Sequence, residues 1–329
     1  MKVLVTGGNG FLGGAIVREL KARGHTVASA SRRPSAELAK LGVRTLTCDV
    51  RNRDHVERAV EGHEAIVHTA ALTGIHGYTL DFVRTNVEGT ELLLDAARRH
   101  GLKAFVHTSS PSVVFDGKDH RNADESLSYP RRYLADYPHT KAQAERKVLA
   151  ANTATLATIA LRPHLVLGPG DTNLLPRLVA RARAGKLLQI GDGTNEVSFT
   201  WIENAAVAHA DALERLVPGA PCAGKPYFVC QKEPVQLWPW LTELFTAAGI
   251  PPPKDKLSRT SAWLAGAACE LFWKTLRRTS EPPMTRFLAL QLATSHSYSI
   301  AALERDVGYR ERVGSEEATR RLVEVLRSM

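Results

Sequence analysis

The chain is poor in the residues that would mark it for extracellular, metal-bound or nucleic-acid roles. Only four of its 329 residues are cysteine, and Cys48, Cys222, Cys230 and Cys269 never approach a C-x-x-C spacing. That excludes a disulfide framework and a thiolate metal site, so no metal is expected, and it fits reduced thiols acting as small buried hydrophobes. Aromatic residues make up 6% of the chain, too few for the stacking platforms of single-strand nucleic-acid binders. Internal repeats and low-complexity segments are absent. No apolar run is long enough to cross a bilayer; the best candidate, residues 261–278 (SAWLAGAACELFWKTLRR), is short and carries Glu270. Met1 and Lys2 lead straight into VLVTG, leaving no space for a charged segment ahead of a separate apolar one. A secretion signal is therefore not expected, and a cytoplasmic location is.

What is present is a globular composition with an excess of cations. Hydrophobic residues reach 44%, enough for a sizeable core, and the formal net charge is +9. Such a balance suits an anionic partner: a phosphorylated cofactor, a carboxylate substrate or an acidic lipid surface, with nucleic acid last. Residues 261–278 fit a core helix, the wall of a substrate pocket, or a helix lying on a membrane with Lys274, Arg277 and Arg278 toward headgroups, a peripheral position. Packing is the first expectation, because apolar stripes at helical spacing usually face a core.

The first half alternates short β-branched runs (KVLVTG, TVASAS, VRTLTCDV, EAIVHTA, AFVHTSS, ATIALRP) with stretches of helical period. This rhythm predicts an α/β fold with a Rossmann-type, doubly wound parallel sheet. After residue 163 EVSFTWI and PYFVC read as late sheet elements, and GIPPPKDKL, residues 249–257, leads into a mostly helical tail. The expected division is a dinucleotide-binding domain over 1–165, completed by about 195–231, and a smaller substrate lobe from 166–194 and 232–329.

VTGGNGFLGGAIV places Gly7, Gly10 and Gly13 between the first strand and the first helix. Gly7 allows the tight turn, Gly10 lets backbone approach a pyrophosphate, and Gly13 permits close helix packing. The helix start at Phe11 and Leu12 then offers free N–H groups to phosphate. A carboxylate normally follows the second strand to hold a ribose 2′-hydroxyl. Here Ser31 stands in its place with Arg32 and Arg33 after it, which predicts NADPH over NADH because arginine binds a 2′-phosphate in bidentate fashion. Two arginines there also fit plain surface charge.

Ser110 lies at the exit of AFVHTSS, where ligands of an open parallel sheet bind. DYPHTK sets Tyr137 and Lys141 four apart, neighbours on a helix whose first turn holds Pro138. Together the three suit hydride transfer to a carbonyl. Ser110 would hold the oxygen and Tyr137 would protonate it, with Lys141 the cation near enough to lower the phenol pKa.

The series T-G-x-x-G-x-x-G, Ser110 and Y-x-x-x-K resembles the extended short-chain dehydrogenase/reductases, the NAD(P)-dependent epimerase/dehydratase group. HTSSPSVVF and LRPHLVLGPGD resemble most its 3β-hydroxysteroid dehydrogenase-like branch. More narrowly, LAANTATLATIALRP, GPGDTNLLPRL and EPPMTRFLALQL are similar to the bacterial 2-alkyl-3-oxoalkanoate reductases of long-chain olefin biosynthesis. That resemblance implies NADPH-dependent reduction of a β-keto acid to a β-hydroxy acid. The implied partners are an acyl substrate, a β-lactone synthetase and a decarboxylase in a multi-enzyme assembly, and a second copy of the chain as a homodimer. It also implies that Lys141 bonds the nicotinamide ribose, that Asp49 and Val50 border the adenine, that Ala70 and Ala71 line the middle of the cofactor, and that Pro163 and Leu165 line its nicotinamide end. Ser110 replaces a threonine of those reductases and keeps the hydroxyl. For His164 the resemblance gives no expectation; it fits either substrate contact or packing, and a lone histidine is more often a packing residue. A sterol or 3β-hydroxysteroid dehydrogenase is the nearest alternative. A nucleotide-sugar epimerase is further off, because RPHLVLGPGD lacks the asparagine usual in sugar-nucleotide enzymes. A catalytically dead cofactor sensor is further still, since all three reacting groups are kept.

Overall fold

The computed structural model describes residues 1–74, 76–276, 278 and 280–329. Its centre is a sheet of seven strands, all paired in parallel. β1 (Lys2–Thr6), β2 (Thr26–Ser31), β3 (Arg44–Thr47), β4 (Ala65–His68) and β5 (Ala104–Thr108) are joined by the strands Ala157–Pro163 and Lys225–Val229. From one edge the order is Lys225–Val229, Ala157–Pro163, β5, β4, β1, β2, β3. The order reverses between β1 and β4, the switch point at which doubly wound sheets bind ligands. Val3 to Thr6, Ala65 to His68 and Ala157 to Pro163 are buried throughout, as expected of parallel strands covered on both faces.

Helices supply the two covers. On one face Ile16, Val17 and Leu20 of α1 (Phe11–Ala22) pack with Ala206, Ala210 and Leu213 of the helix Ile202–Arg215. On the other, Val56 and Val60 meet Leu93, Leu94 and Ala97. A separate core around Val179, Ile190, Trp201, Trp238, Phe245 and Leu322 forms the lobe beyond the sheet's carboxyl edge.

Two expectations need correction. EVSFTWI is not a strand of the central sheet: Glu196–Val197 joins a small four-stranded sheet, and Thr200–Trp201 pairs with Val166–Leu167. The Thr200 hydroxyl, 2.7 and 2.8 Å from the carbonyls of His164 and Val229, ties the second pair to the end of the central sheet without adding a strand to it. The second concerns residues 261–278. The helix Arg259–Thr275 buries only Ala262 and Gly266, so it is no core helix. Gly266 rests on the backbone of Thr285, where an added Cβ would stand 2.5 Å from its carbonyl carbon. Contact through so small a residue leaves the large apolar side chains facing out. One edge does form a wall, with Glu270, Trp273 and Lys274 lining a cleft. Arg277 lies outside the described residues.

Candidate active site

The glycine loop is built as a phosphate cradle. Gly7 has φ +73°, and its N–H donates to the Ala30 carbonyl at 2.7 Å, which pins the turn to β2. An added Cβ on Gly13 would lie 2.2 Å from the Gly7 carbonyl oxygen, so only glycine lets α1 come this close. α1 starts at Phe11 with no side-chain cap and no acid in its first turn. Its first N–H groups and positive dipole end are therefore free for an anion. Leu12 packs beneath into both cores.

The other strand ends converge on the same edge. The Ser31 hydroxyl accepts the Asn9 N–H at 3.2 Å, tying the end of β2 to the glycine loop. Arg32 and Arg33 are exposed and make no ion pair among the described residues. After β3, Asp49 takes Arg51 in a bidentate pair, with Nη2 at 2.6 Å, which together with neighbouring Arg32 holds its carboxyl below the ordinary range. Val50 is buried under Gly89. Ala70 and Ala71 follow β4 half-buried. Pro163 ends its strand, and Leu165 has φ +42°, one of two non-glycine residues in the left-handed region among the described residues. Such a conformation costs about 1–3 kcal/mol and marks a site the surroundings over-determine.

Ser110 caps the short 3-10 turn Pro111–Val114: its Oγ accepts the Ser112 N–H at 3.2 Å and lies 2.9 Å from the Ser112 hydroxyl. Tyr137 and Lys141 stand in the first two turns of the helix Asp136–Ala150, with Pro138 beside them. Tyr137 is half-buried, and burial pushes its phenol pKa up, with Ser110 the group that pulls it back. This corrects the expectation that Lys141 sets the phenol. The Lys141 amine instead turns into the sheet, donating to the Thr108 carbonyl at 2.6 Å and to His107 Nε2 at 3.2 Å. Burial lowers the Lys141 pKa to about 8, while Glu145 opposes the fall.

Several supporting residues carry no sequence signal. His107 stays neutral through burial and the Lys141 charge. His209 donates from Nδ1 to the Ala205 carbonyl (2.7 Å), so its Nε2 accepts from the Thr108 hydroxyl (2.8 Å) and fixes the residue that holds Lys141. Asn86, buried in a π-helical turn, grips both backbone groups of Leu72 (2.7 and 3.0 Å) and reaches Thr140 at 3.1 Å. It thereby links the loop after Ala71 to the tyrosine helix. Glu145 and Arg162 form a fully buried bidentate pair at 2.6 and 3.0 Å, joined by the Tyr129 hydroxyl. His164 Nε2 lies 2.6 Å from His296 Nδ1, and His296 Nε2 donates to the Gln291 carbonyl at 2.7 Å. His164 is thus a donor inside a buried chain. Among the described residues no cluster has metal-ligating geometry.

A cleft of about 1440 Å³ opens beside Asp136, walled by Tyr78, Arg131, Arg132, Tyr133, Arg146 and Trp273 among others. Ser110, Tyr137 and the glycine loop are not in its walls; it flanks the tyrosine helix instead of covering it. Residues 4–259 match the 3-beta hydroxysteroid dehydrogenase/isomerase family. The chain belongs to that family. As a 3β-hydroxysteroid dehydrogenase-like, extended short-chain reductase, it is an oxidoreductase of keto and hydroxyl groups that uses a nicotinamide cofactor. It is similar to a 2-alkyl-3-oxoalkanoate reductase of Stenotrophomonas maltophilia, 46% identical over 325 residues covering 98% of each chain. It is also similar to the decarboxylating sterol-4-alpha-carboxylate 3-dehydrogenase of Mus musculus, 32% identical over 98% of this chain and 90% of that one. The solved structure of a Thermus thermophilus UDP-glucose 4-epimerase with NAD shares the fold, with a TM-score of 0.74, 24% identity and 99% of each chain covered.

Proposed function

We propose that the protein is an NADPH-dependent reductase that converts a 2-alkyl-3-oxoalkanoate to the 2-alkyl-3-hydroxyalkanoate, a step of long-chain olefin biosynthesis. The observation that carries this reading is the near full-length, 46% identity to a reductase of that name. The cleft beside the tyrosine helix carries Arg131, Arg132 and Arg146 near Tyr78 and Trp273, a lining that suits the distal part of a substrate with an alkyl chain and an acidic group, its reacting carbonyl lying outside the cleft toward Tyr137. The cradle made by Gly7 and Gly13 fits a dinucleotide pyrophosphate, and Arg32 and Arg33, with no acid at Ser31, favour the 2′-phosphorylated form.

When bound, the nicotinamide supplies a hydride; the chain's residues supply the rest. Ser110, whose oxygen accepts from the Ser112 N–H, would turn its hydroxyl hydrogen to the substrate oxygen as charge develops. Tyr137 delivers the proton from Oη. Its raised pKa keeps that proton in place at neutral pH. Lys141 commits two N–H groups to Thr108 and His107, leaving the third, when charged, for the ribose.

A second reading is favoured by the mouse relative, which is named for a sterol carboxylate. Because 3-oxo acids lose CO₂, the test runs in reverse: NADP⁺ with a 2-alkyl-3-hydroxyalkanoic acid, a 3β-hydroxysteroid or a nucleotide sugar, following NADPH formation. Oxidation of the alkanoic acid is expected; activity on the steroid alone would overturn the first reading. NADH binding as tight as NADPH in a titration would overturn the cofactor assignment.

A further inference from the structure

We propose that the outward face of the helix Arg259–Thr275 docks the enzyme on an anionic lipid bilayer, lying flat at the headgroup level. The helix touches the protein through Ala262 and Gly266. On the far side, Leu264, Ala268, Leu271, Phe272 and Thr275 follow at helical spacing with no charge among them. Leu264, Leu271 and Phe272 are 58%, 64% and 48% exposed, and Leu276 beyond the helix is 52% exposed. An uncharged apolar face of this extent on a surface helix marks a contact with something apolar.

The cations around it say which. Lys274 is exposed at one border, and the Arg278 guanidinium lies 5.2 and 5.1 Å over the rings of Phe272 and Trp273. Charges held at the rim of an apolar, aromatic face match phosphate headgroups above acyl chains. The surface continues onto the neighbouring loop: His76 Nε2 donates to the Arg278 carbonyl at 2.9 Å, and Tyr78 and Leu80 beyond it are 68% and 54% exposed. A second copy of the chain suits this face poorly. The helix's one carboxylate, Glu270, is already held by Arg286 at 2.7 Å, so the face offers no anion to meet the Lys274 and Arg278 of another copy. Among the described residues no helix is long and apolar enough to cross the membrane, so the contact is a lateral one.

The test is co-sedimentation of the full chain with vesicles of phosphatidylcholine alone or mixed with phosphatidylglycerol. Binding is expected to the mixed vesicles and to weaken with salt. Lys274→Gln and Arg278→Gln should each lower it roughly fivefold, and Leu271→Ser with Phe272→Ser should abolish it while NADPH binding, unchanged, shows the fold intact. Equal binding to both vesicle types, no binding to either, or a dimer that the serine variant dissociates would each overturn the proposal. The docking and the substrate reading fail separately: vesicle binding survives if the enzyme oxidises only steroids, and alkanoate oxidation survives if vesicles are ignored.

Discussion

Lys141→Met isolates what it costs this fold to keep an amine inside. Burial lowers the Lys141 pKa from the ordinary 10.5 to about 8. Between those values the unfolded chain binds a proton that the folded chain has released, so this group's contribution to stability rises with pH across the window. Below about 8 both states are charged and the penalty is complete; above 10.5 both are neutral and it is gone. At about 1.4 kcal/mol per pH unit, the full penalty is about 3 kcal/mol. Methionine fills the same space without a charge. The stability difference, variant minus wild type, should therefore be largest at neutral pH and shrink by about 3 kcal/mol by the alkaline end of the window. Urea unfolding of both proteins at a series of pH values, without cofactor, gives the curve directly. A difference that stays flat would show that the amine is solvated or paired in the folded state, and the account of its burial would fall. Turnover of the variant should be lost at every pH, separating the residue's structural burden from its use.

Three further outcomes follow from the geometry. Tyr137→Phe should cut turnover by about 10²- to 10⁴-fold and leave NADPH binding nearly unchanged, since the phenol carries a proton and no cofactor phosphate; steady-state rates and a fluorescence titration test both halves. Gly13→Ala puts a Cβ 2.2 Å from the Gly7 carbonyl oxygen, so cofactor affinity should collapse while the circular dichroism spectrum is kept. Glu145→Ala strands the Arg162 guanidinium in the core, and thermal unfolding should report a loss of about 3–5 kcal/mol, the usual result of breaking a buried pair from one side.

The sheet was legible because its inner strands, Val3 to Thr6, Ala65 to His68 and Ala157 to Pro163, are buried on both faces and read as mostly apolar runs, and the cradle because φ and close packing admit only glycine at Gly7 and Gly13. Ser110 just after the end of β5, and the helix that carries Tyr137 and Lys141 with Pro138 in its first turn, were legible from the strand pattern and the residue spacing. What their spacing could not tell was direction. Residues four apart share a helix face, yet the Lys141 amine reaches across to the Thr108 carbonyl at the end of β5, a partner 33 residues away in the chain. Asn86, His107, His209 and the Glu145–Arg162 pair were illegible for a related reason. Each is an ordinary polar letter whose partner lies far along the chain, from 14 residues for Asn86 and Leu72 to 101 for Thr108 and His209. Residues 261–278 failed differently: hydrophobic spacing identifies a helix face, but Gly266, not the apolar stripe, chose which side would be covered.

The path of the chain between its two cores has an evolutionary consequence. The helix Ile202–Arg215 lies on α1, the strand Lys225–Val229 completes the sheet beside Ala157–Pro163, and near the C-terminus Arg312 returns to Glu19 at 2.7 Å while Asn204 takes the Val313 carbonyl at 2.7 Å. No single crossover point separates the part that would hold a nucleotide from the part that would choose a substrate. Recombination between relatives at one junction would leave half of each core facing a stranger. Exchange of single residues spares both cores, which makes it the less costly route to a new specificity in such a chain.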